Sequence, residues 1–142
     1  MSTATFIGHA RCYGLSEALV EAEIRKLIEG GVDHFLCGGK GEFDGICAGI
    51  VHKLKAERPD ILSELVLPYP GFQPFAPERY DCFLAPEGYE TWNYKAVYEK
   101  RNRYMLEHSD VALCYVVHEW GGAAKTLSVA KRLGLPVIEM KA

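Results

Sequence analysis

The sequence has no excess of basic residues. Its 16 Lys and Arg are outnumbered by 19 Asp and Glu, which gives a formal net charge of −3 with histidine neutral. Proteins that bind nucleic acids usually present a basic face to the phosphate backbone, and the nearest approach to a basic cluster here is Arg101 with Arg103. The charge balance therefore predicts that nucleic acid is not a partner.

Long hydrophobic runs and closely paired cysteines are also missing. No apolar stretch is long enough to cross a bilayer, and the segment MSTATFIGHARC lacks the regions of a secretory signal, so we expect no membrane contact. The five cysteines are odd in number, widely spaced and without a Cys-x-x-Cys pair. This pattern favours buried free thiols in a reducing compartment and predicts a cytoplasmic protein. His9 and Cys12 have no visible second pair of ligands, so we predict neither a metal nor a cofactor.

Apolar runs typical of strands alternate with segments of helical periodicity. The length of 142 residues suits one domain, which we expect to span residues 1–142. The predicted strands are 3–9, 34–37, 61–67, 81–85, 110–117 and 136–140, and the predicted helices begin near residues 16, 44, 93 and 121. The alternation predicts an α/β, Rossmann-like three-layer fold with a mainly parallel sheet flanked by helices on both faces.

Residues 68–92 interrupt this alternation. The segment holds five of the seven prolines, interleaved with aromatic residues. Long irregular connections in compact domains are often lids or binding loops. Tyr69, Phe72 and Trp92 are therefore candidates to cover a bound base by stacking.

Three glycine clusters follow predicted strands. They are Gly8-His9, Gly38-Gly39 with Gly41, and Gly121-Gly122. The carboxyl ends of parallel strands share one edge of the sheet, where ligands bind, and a helix N-terminus favours an anion there. The clusters indicate a phosphate site, with turn geometry and close helix packing as the alternative.

The standard phosphate motifs do not fit these clusters. Asp44 stands where a Gly-x-Gly-x-x-Gly motif starting at Gly39 needs its last glycine, and GGAAKT at 121–126 lacks the spacing of a P-loop. We therefore predict neither an ordinary dinucleotide-dependent dehydrogenase nor an NTPase.

Arg101 is the charged residue most in need of a partner. On a helix it lies among apolar neighbours, where an unpaired charge is costly. Asp44, Asp110 and a ligand phosphate are the candidate partners, and the sequence leaves all three open. Arg103 differs, because Glu99 and Glu107 lie four residues to either side and form a solvated ion-pair face.

Two further side chains have open roles. Asp44 is suited either to capping its helix or to hydrogen-bonding a ribose hydroxyl. His9 is a base, a ligand contact or a residue satisfied by the backbone. Glu119 is the obvious carboxylate beside the last glycine pair.

With these residues assembled, the chain resembles the SLOG superfamily, which includes the Lonely Guy phosphoribohydrolases and the Smf DNA-processing proteins, and it is most similar to small stand-alone members. IGHAR (7–11) is similar to TGHR of the family, FLCGGKGEFD (35–44) to GGALGFD, KRNRYMLEHSD (100–110) to RNRYMVDHSD, and GGAAKT (121–126) to GGTAYT. The resemblance implies a Rossmann-like fold, a nucleotide-derived ligand and a homodimer. The candidate ligand-binding residues are Gly8, His9, Arg11, Gly38, Gly39, Gly41, Asp44, Arg101, Asn102, Gly121, Gly122 and Thr126.

The chain departs from the phosphoribohydrolases at two places. Their last glycine loop resembles PGGxGTxxE with a catalytic glutamate, whereas Ser128 and Val129 occupy that region here, and Arg11 comes one place late in the first motif. We therefore expect a module that binds a nucleotide or nucleotide-derived signal. The alternative is a nucleoside-monophosphate N-glycosidase in which Glu119 or Asp44 is the acid–base group.

Overall fold

Six parallel strands form one sheet in the computed structural model, which describes residues 2–141. The strands are β1 Ser2–Gly8, β2 Val32–Cys37, β3 Leu62–Val66, β4 Cys82–Leu84, β5 Val111–Tyr115 and β6 Val137–Glu139. The helices are α1 Glu17–Glu29, α2 Glu42–Leu54, α3 Val97–Glu107 and α4 Gly122–Arg132. Every neighbouring pair of strands is parallel, so the predicted α/β Rossmann-like fold is confirmed.

Helix α1 illustrates how the local sequence sets an element. Ser16 is its N-cap, and the Ser16 hydroxyl accepts a hydrogen bond from the backbone N–H of Leu19 at 3.3 Å. The residues that recur on one face, among them Val20 and Ile24, are buried. The helical periodicity of the sequence thus corresponds to the face that α1 packs against the sheet.

The two faces of the sheet carry separate apolar clusters. Helices α1 and α2 cover one face, with Phe35 and Phe43 in its core. Helices α3 and α4 cover the other around β1 and β5, where Ile7, Leu106 and Leu127 pack together. None of the described helices is both long and apolar enough to cross a membrane.

The strand order β4-β3-β2-β1-β5-β6 locates a natural ligand site. From β1 the chain adds strands in one direction through β4, then returns to place β5 on the other side of β1. Ligands of open α/β sheets bind at the carboxyl ends of the strands where this order reverses. Here that point lies between the ends of β1 and β5.

The start of α3 differs from the sequence prediction of residue 93. Asn93 forms a turn instead, because its side-chain oxygen accepts the N–H of Lys95 at 2.9 Å and its carbonyl oxygen accepts the N–H of Ala96 at 2.8 Å. Asparagine bonds its own local backbone readily, which favours a turn over a helix. The helix begins at Val97.

Candidate functional site

A cleft of about 340 Å³ opens between the carboxyl ends of β1 and β5. The first turns of α2 and α4 flank it. Most of the candidate ligand-binding residues line it, namely Gly8, His9, Gly41, Asp44, Arg101, Asn102, Gly121, Gly122 and Thr126. The convergence on one edge that the sequence predicted is therefore present in the structure.

The two helices at the cleft begin differently. Helix α2 starts after Gly41, and its first amides are already occupied: the N–H of Glu42 donates to the Ala10 carbonyl at 2.9 Å and that of Phe43 to the His9 carbonyl at 3.3 Å. Helix α4 starts after Gly121, and no side chain among residues 2–141 caps it. Since a helix cannot bond its first N–H groups internally, α4 offers free donors and a positive end to the cleft.

The loop glycines before α2 serve close packing. A Cβ on Gly38 would lie 2.9 Å from Asp44 Oδ2 and 3.1 Å from Arg101 Cζ, and a Cβ on Gly39 would lie 2.6 Å from Leu65 Cδ1. Neither glycine lines the cleft. At Gly38 and Gly39, the glycines therefore allow close packing within the protein, which was the alternative to a phosphate site.

Asp44 does not cap α2, because Gly41 occupies the N-cap position and Asp44 lies in the first helical turn. Burial raises the pKa of Asp44 to about 6, while the charge of Arg101 and the backbone N–H groups of Gly38 and Lys40 act in the opposite direction. Its Oδ1 is shielded from solvent and has no hydrogen-bond partner among residues 2–141. Asp44 is thus a buried carboxyl group whose pKa is raised toward neutral pH.

Arg101 joins the ends of two strands. Its side chain is buried, at 3% exposure, and its Nη1 donates to the Gly38 carbonyl at 2.6 Å and to the Val66 carbonyl at 3.2 Å. Burial lowers the pKa of Arg101 and the nearby Asp44 carboxylate raises it. Asp110, another candidate partner, accepts the N–H of Thr3 at 2.8 Å instead.

A chain of hydrogen bonds runs from Arg101 to the start of α4. Arg101 Nε donates to Asn102 Oδ1 at 3.0 Å, Asn102 Nδ2 donates to Thr126 Oγ1 at 3.4 Å, and Thr126 donates to the Gly122 carbonyl at 2.9 Å. These bonds couple the buried arginine to the first turn of α4. They explain the position of Asn102 and Thr126 beside Gly122.

His9 holds the loop that follows β5. Its Nε2 accepts the backbone N–H of Val117 at 2.8 Å, so the ring proton of neutral His9 is on Nδ1. Burial lowers the pKa of His9, and the neighbouring His118 lowers it further. The ring of His118 in turn stacks on Trp120, with centroids 4.5 Å apart and planes 10° apart.

Sequence reasoning missed His118, Trp120 and Lys40, which all line the cleft. The side chain of Trp120 is 71% exposed, so its ring is accessible from the cleft. Their positions in the sequence could have identified them as candidates. His118 and Trp120 come just before Gly121, and Lys40 lies between Gly39 and Gly41.

Other predicted residues lie outside the cleft. Arg11 is exposed and hydrogen-bonds Tyr13, and Glu119 is exposed on the loop before α4. The aromatic residues predicted to cover a base pack elsewhere: Tyr69 and Phe72 contact each other and Tyr98 edge to face. Trp92 packs against Tyr89.

Within the described part of the chain, no three His, Cys, Asp or Glu side chains are grouped so as to hold a metal ion. The five cysteines are unpaired, and all except Cys82 are buried.

Two solved structures share this fold. DNA processing protein A from Helicobacter pylori aligns with a TM-score of 0.73 and 16% identity over 99% of this chain and 66% of that chain. DNA processing protein A (DprA) from Streptococcus pneumoniae aligns with a TM-score of 0.73 and 17% identity over 99% of this chain and 50% of that chain. This chain therefore spans between half and two thirds of the length of these two proteins. At such low sequence identity, the alignments show a shared fold and nothing more. No protein-family model and no curated protein matches the sequence.

The prediction that nucleic acid is not a partner is contradicted by this comparison. The Helicobacter pylori structure concerns the single-stranded DNA binding mode of a protein with the same fold. Net charge was a poor guide because it sums the whole surface, whereas binding depends on local potential. Here Lys40 lines the cleft, and Lys100 and Lys125 lie beside it, with Lys125 paired to Glu99. Glu21 and Glu57 form ion pairs with Arg25 on another surface.

Proposed function

We propose that the cleft binds a nucleotide or nucleotide-derived small molecule and that the protein acts as a sensor or binding module. The observation that carries the proposal is the uncapped start of α4 at Gly121, which faces a cleft already lined by polar groups. Free helical N–H groups and the positive helix end suit a phosphate. We place the phosphate at Gly121 and Gly122, because the first amides of α2 are occupied by backbone oxygens.

The remaining walls suit the other parts of a nucleotide. The stacked pair of His118 and Trp120 supplies an aromatic surface for a base, since aromatic side chains stack on bases of any sequence. Lys40 brings positive charge to the cleft, with its Nζ 3.6 Å from the centroid of the Tyr98 ring, and Asp44 brings a hydrogen-bond acceptor for ribose. Arg101 acts through its charge from beneath the cleft, because its guanidinium is already bonded to strand carbonyls.

Gly122 allows a direct test of the phosphate site. An added Cβ meets nothing within 4 Å, so the backbone at Gly122 has room for the first side-chain atom of Gly122→Asp, which places a carboxylate at the start of α4. An acidic residue at a helix N-terminus stabilises by about 0.3–1 kcal/mol, yet it repels a bound phosphate. We therefore expect Gly122→Asp to keep or raise the melting temperature and to abolish binding of anionic nucleotides.

The experiment is a thermal-shift and calorimetric titration with AMP, ADP, ATP, ADP-ribose, NAD, cyclic nucleotides and GMP. A ligand that binds only the folded state raises the melting temperature with its concentration. Gly122→Asn, similar in size but neutral, is the matched control and should retain more binding than Gly122→Asp. The proposal fails if no nucleotide shifts the wild-type protein at millimolar concentration, or if both variants bind as the wild type does.

A second candidate function is hydrolysis of the N-glycosidic bond of a nucleoside monophosphate. It is supported by Asp44, whose pKa of about 6 suits a general acid or base at neutral pH. Release of base and ribose phosphate from AMP by the wild-type protein, and its loss in Asp44→Asn, would establish this function. Glu119, the other candidate carboxylate, is exposed outside the cleft, and Glu119→Gln is the control variant expected to retain any activity.

A third candidate, single-stranded DNA binding, is supported by the likeness to DNA processing protein A. Retention of a fluorescent oligothymidylate that weakens steeply with salt would establish it. Competition with free AMP shows whether DNA and the nucleotide share a site. AMP displaces the oligothymidylate only if both bind at the phosphate site at Gly122.

The resemblance to the SLOG superfamily is part of the same proposal, together with a homodimer, a single domain and a cytoplasmic location. Sedimentation velocity at micromolar concentration tests the dimer. A monomer at every concentration would remove it and leave the cleft proposal untouched.

A further inference from the structure

A second cavity adjoins the cleft. It is a groove of about 410 Å³ between α3 and α4. The groove and the cleft share Asn102, Leu106, Gly122 and Thr126 in their walls. The two cavities are therefore neighbouring compartments on either side of the start of α4.

A weak hydrogen bond joins two residues that line both compartments. Asn102 and Thr126 form it across the gap between α3 and α4 at 3.4 Å, near the upper limit for such a bond. Gly122 lies beside it without a side chain. An anion bound at Gly122 would thus be in contact with both compartments, and groups attached to its two sides could extend one into each.

The groove has the chemistry of a binding site for a ring with a polar rim. Its apolar lining includes Ala96, Leu106 and Val129, and its charged lining includes Glu99, Lys100, Arg103 and Lys125. Arg103 Nε also pairs with Glu107 Oε2 at 3.3 Å. Small-molecule sites are typically apolar with a few polar groups that fix orientation. The groove therefore suits a nucleoside better than a bare phosphate.

One ion pair spans the groove, and it is easily opened. Lys125 Nζ on α4 and Glu99 Oε1 on α3 are 3.0 Å apart, with both side chains more than half exposed. Exposed pairs of this kind contribute about 0–1 kcal/mol. A ligand that enters the groove consequently displaces this contact at little cost.

We propose that the ligand is a dinucleotide, with two nucleoside units joined through phosphate. One nucleoside stacks on His118 and Trp120 in the cleft, the bridging phosphate lies at Gly122, and the second nucleoside occupies the groove. This inference rests on the proposed nucleotide site and extends it. Each cavity lies near the lower end of the roughly 300–1,000 Å³ range of ligand sites, so a mononucleotide fills one and leaves the other empty.

The test compares AMP with two dinucleotides, NAD and adenylyl-(3′,5′)-adenosine, by calorimetry. We expect at least one dinucleotide to bind the wild-type protein about tenfold or more tightly than AMP. Val129→Trp, which fills the groove, should remove this advantage and leave AMP binding within about twofold. Ser128→Trp is the matched control, because Ser128 is exposed on the same helix and does not line the groove.

A second variant guards against misfolding. Ala96→Phe fills the groove from the α3 side and should have the same selective effect as Val129→Trp. Melting temperatures of all variants show which remain folded. If both groove variants bind a dinucleotide as the wild type does, the groove is not part of the site and the inference is overturned.

The remaining outcomes separate the two proposals. Binding of AMP without any gain for a dinucleotide overturns the dinucleotide inference and leaves the proposed function standing. Binding of neither overturns both. If oligothymidylate of six or more nucleotides binds more tightly than either dinucleotide, the two compartments belong to a track for a nucleic-acid strand, and the dinucleotide inference is wrong.

Discussion

Asp44 and Arg101 both lie against Gly38, so that a Cβ there would lie 2.9 Å from Asp44 Oδ2 and 3.1 Å from Arg101 Cζ. The backbone between β2 and α2 thereby keeps opposite charges close together in a buried space. Because Arg101 also bonds the carbonyls of Gly38 and Val66, this arrangement fixes the ends of two strands beneath the cleft. Residue 38 is a glycine because Asp44 and Arg101 leave no room for a Cβ atom at this position.

Gly38→Ala should destabilise the fold. The added methyl group meets charged groups that are themselves held in place, and overpacking of this kind costs about 1–3 kcal/mol. Gly45→Ala is the matched control within α2, where a Cβ meets nothing within 4 Å, and it should stabilise by about 0.5–1 kcal/mol through helix propensity. Urea unfolding measures both, and equal stabilities for the two variants would contradict the proposed crowding at Gly38.

Asp44 should make stability depend on pH. Its pKa in the folded state is about 6, above the ordinary value of 3.8, so between these values the folded state binds more protons than the unfolded state. Stability from this group is therefore largest below about pH 4 and falls as the pH rises to about 6, by up to about 3 kcal/mol.

Asp44→Asn removes this titration and leaves the other groups in place. Between pH 4 and pH 7 the wild type should lose this part of its unfolding free energy, whereas Asp44→Asn should not. The variant should therefore become more stable relative to the wild type as the pH rises. A constant difference across that range would show that the carboxyl group has an ordinary pKa. Chemical denaturation at half-unit pH intervals provides the measurement.

His9 should carry its neutral-form proton on Nδ1. The bond from the Val117 N–H requires an unprotonated Nε2, and the pKa of His9 is lowered by burial and by His118. The contact consequently stabilises the fold at pH values above about 6.5, the ordinary histidine pKa. This stabilisation is lost as the pH falls through the lowered pKa that His9 has in the folded state.

Long-range 1H–15N correlation spectra report the tautomer of each histidine ring. We expect the Nδ1–H form for His9 at pH 7.5, together with a titration midpoint below the ordinary histidine pKa of about 6.5. An Nε2–H tautomer for His9 would refute the contact with the loop after β5.

Trp120 should report directly on a bound base. The protein has two tryptophans, and Trp92→Phe leaves Trp120 as the only source of indole fluorescence. Stacking of a base on an exposed indole (Trp120 is 71% exposed) changes its emission. We expect AMP to quench the Trp92→Phe protein in proportion to site occupancy, and the calorimetric binding curve provides the comparison.

Trp120→Leu tests the energetic role of the same surface. Loss of base stacking costs about 1–3 kcal/mol per base, so the affinity for AMP should fall by about tenfold or more. Unchanged affinity would show that the base lies elsewhere in the cleft.

Much of the fold was predictable because it depends on local patterns. The four-residue recurrence of Val20 and Ile24 identified the buried face of α1, and Ser16 identified its start. The apolar run at 110–117 corresponds to strand β5, which lies between β1 and β6. Boundaries were less accurate where a side chain bonds its own backbone, as Asn93 does before α3.

The candidate site was only partly predictable. The sequence by itself determined that several glycine clusters lie at the carboxyl edge of a parallel sheet, because strand direction and chain order place them there. Only the tertiary structure decided which cluster has free amides: the carbonyls of His9 and Ala10 take those of α2, while α4 is left open. These bonds join residues about 32–34 positions apart in the sequence. They form only when the loop after β1 and the start of α2 dock on the same edge of the sheet, so no local sequence pattern predicts them.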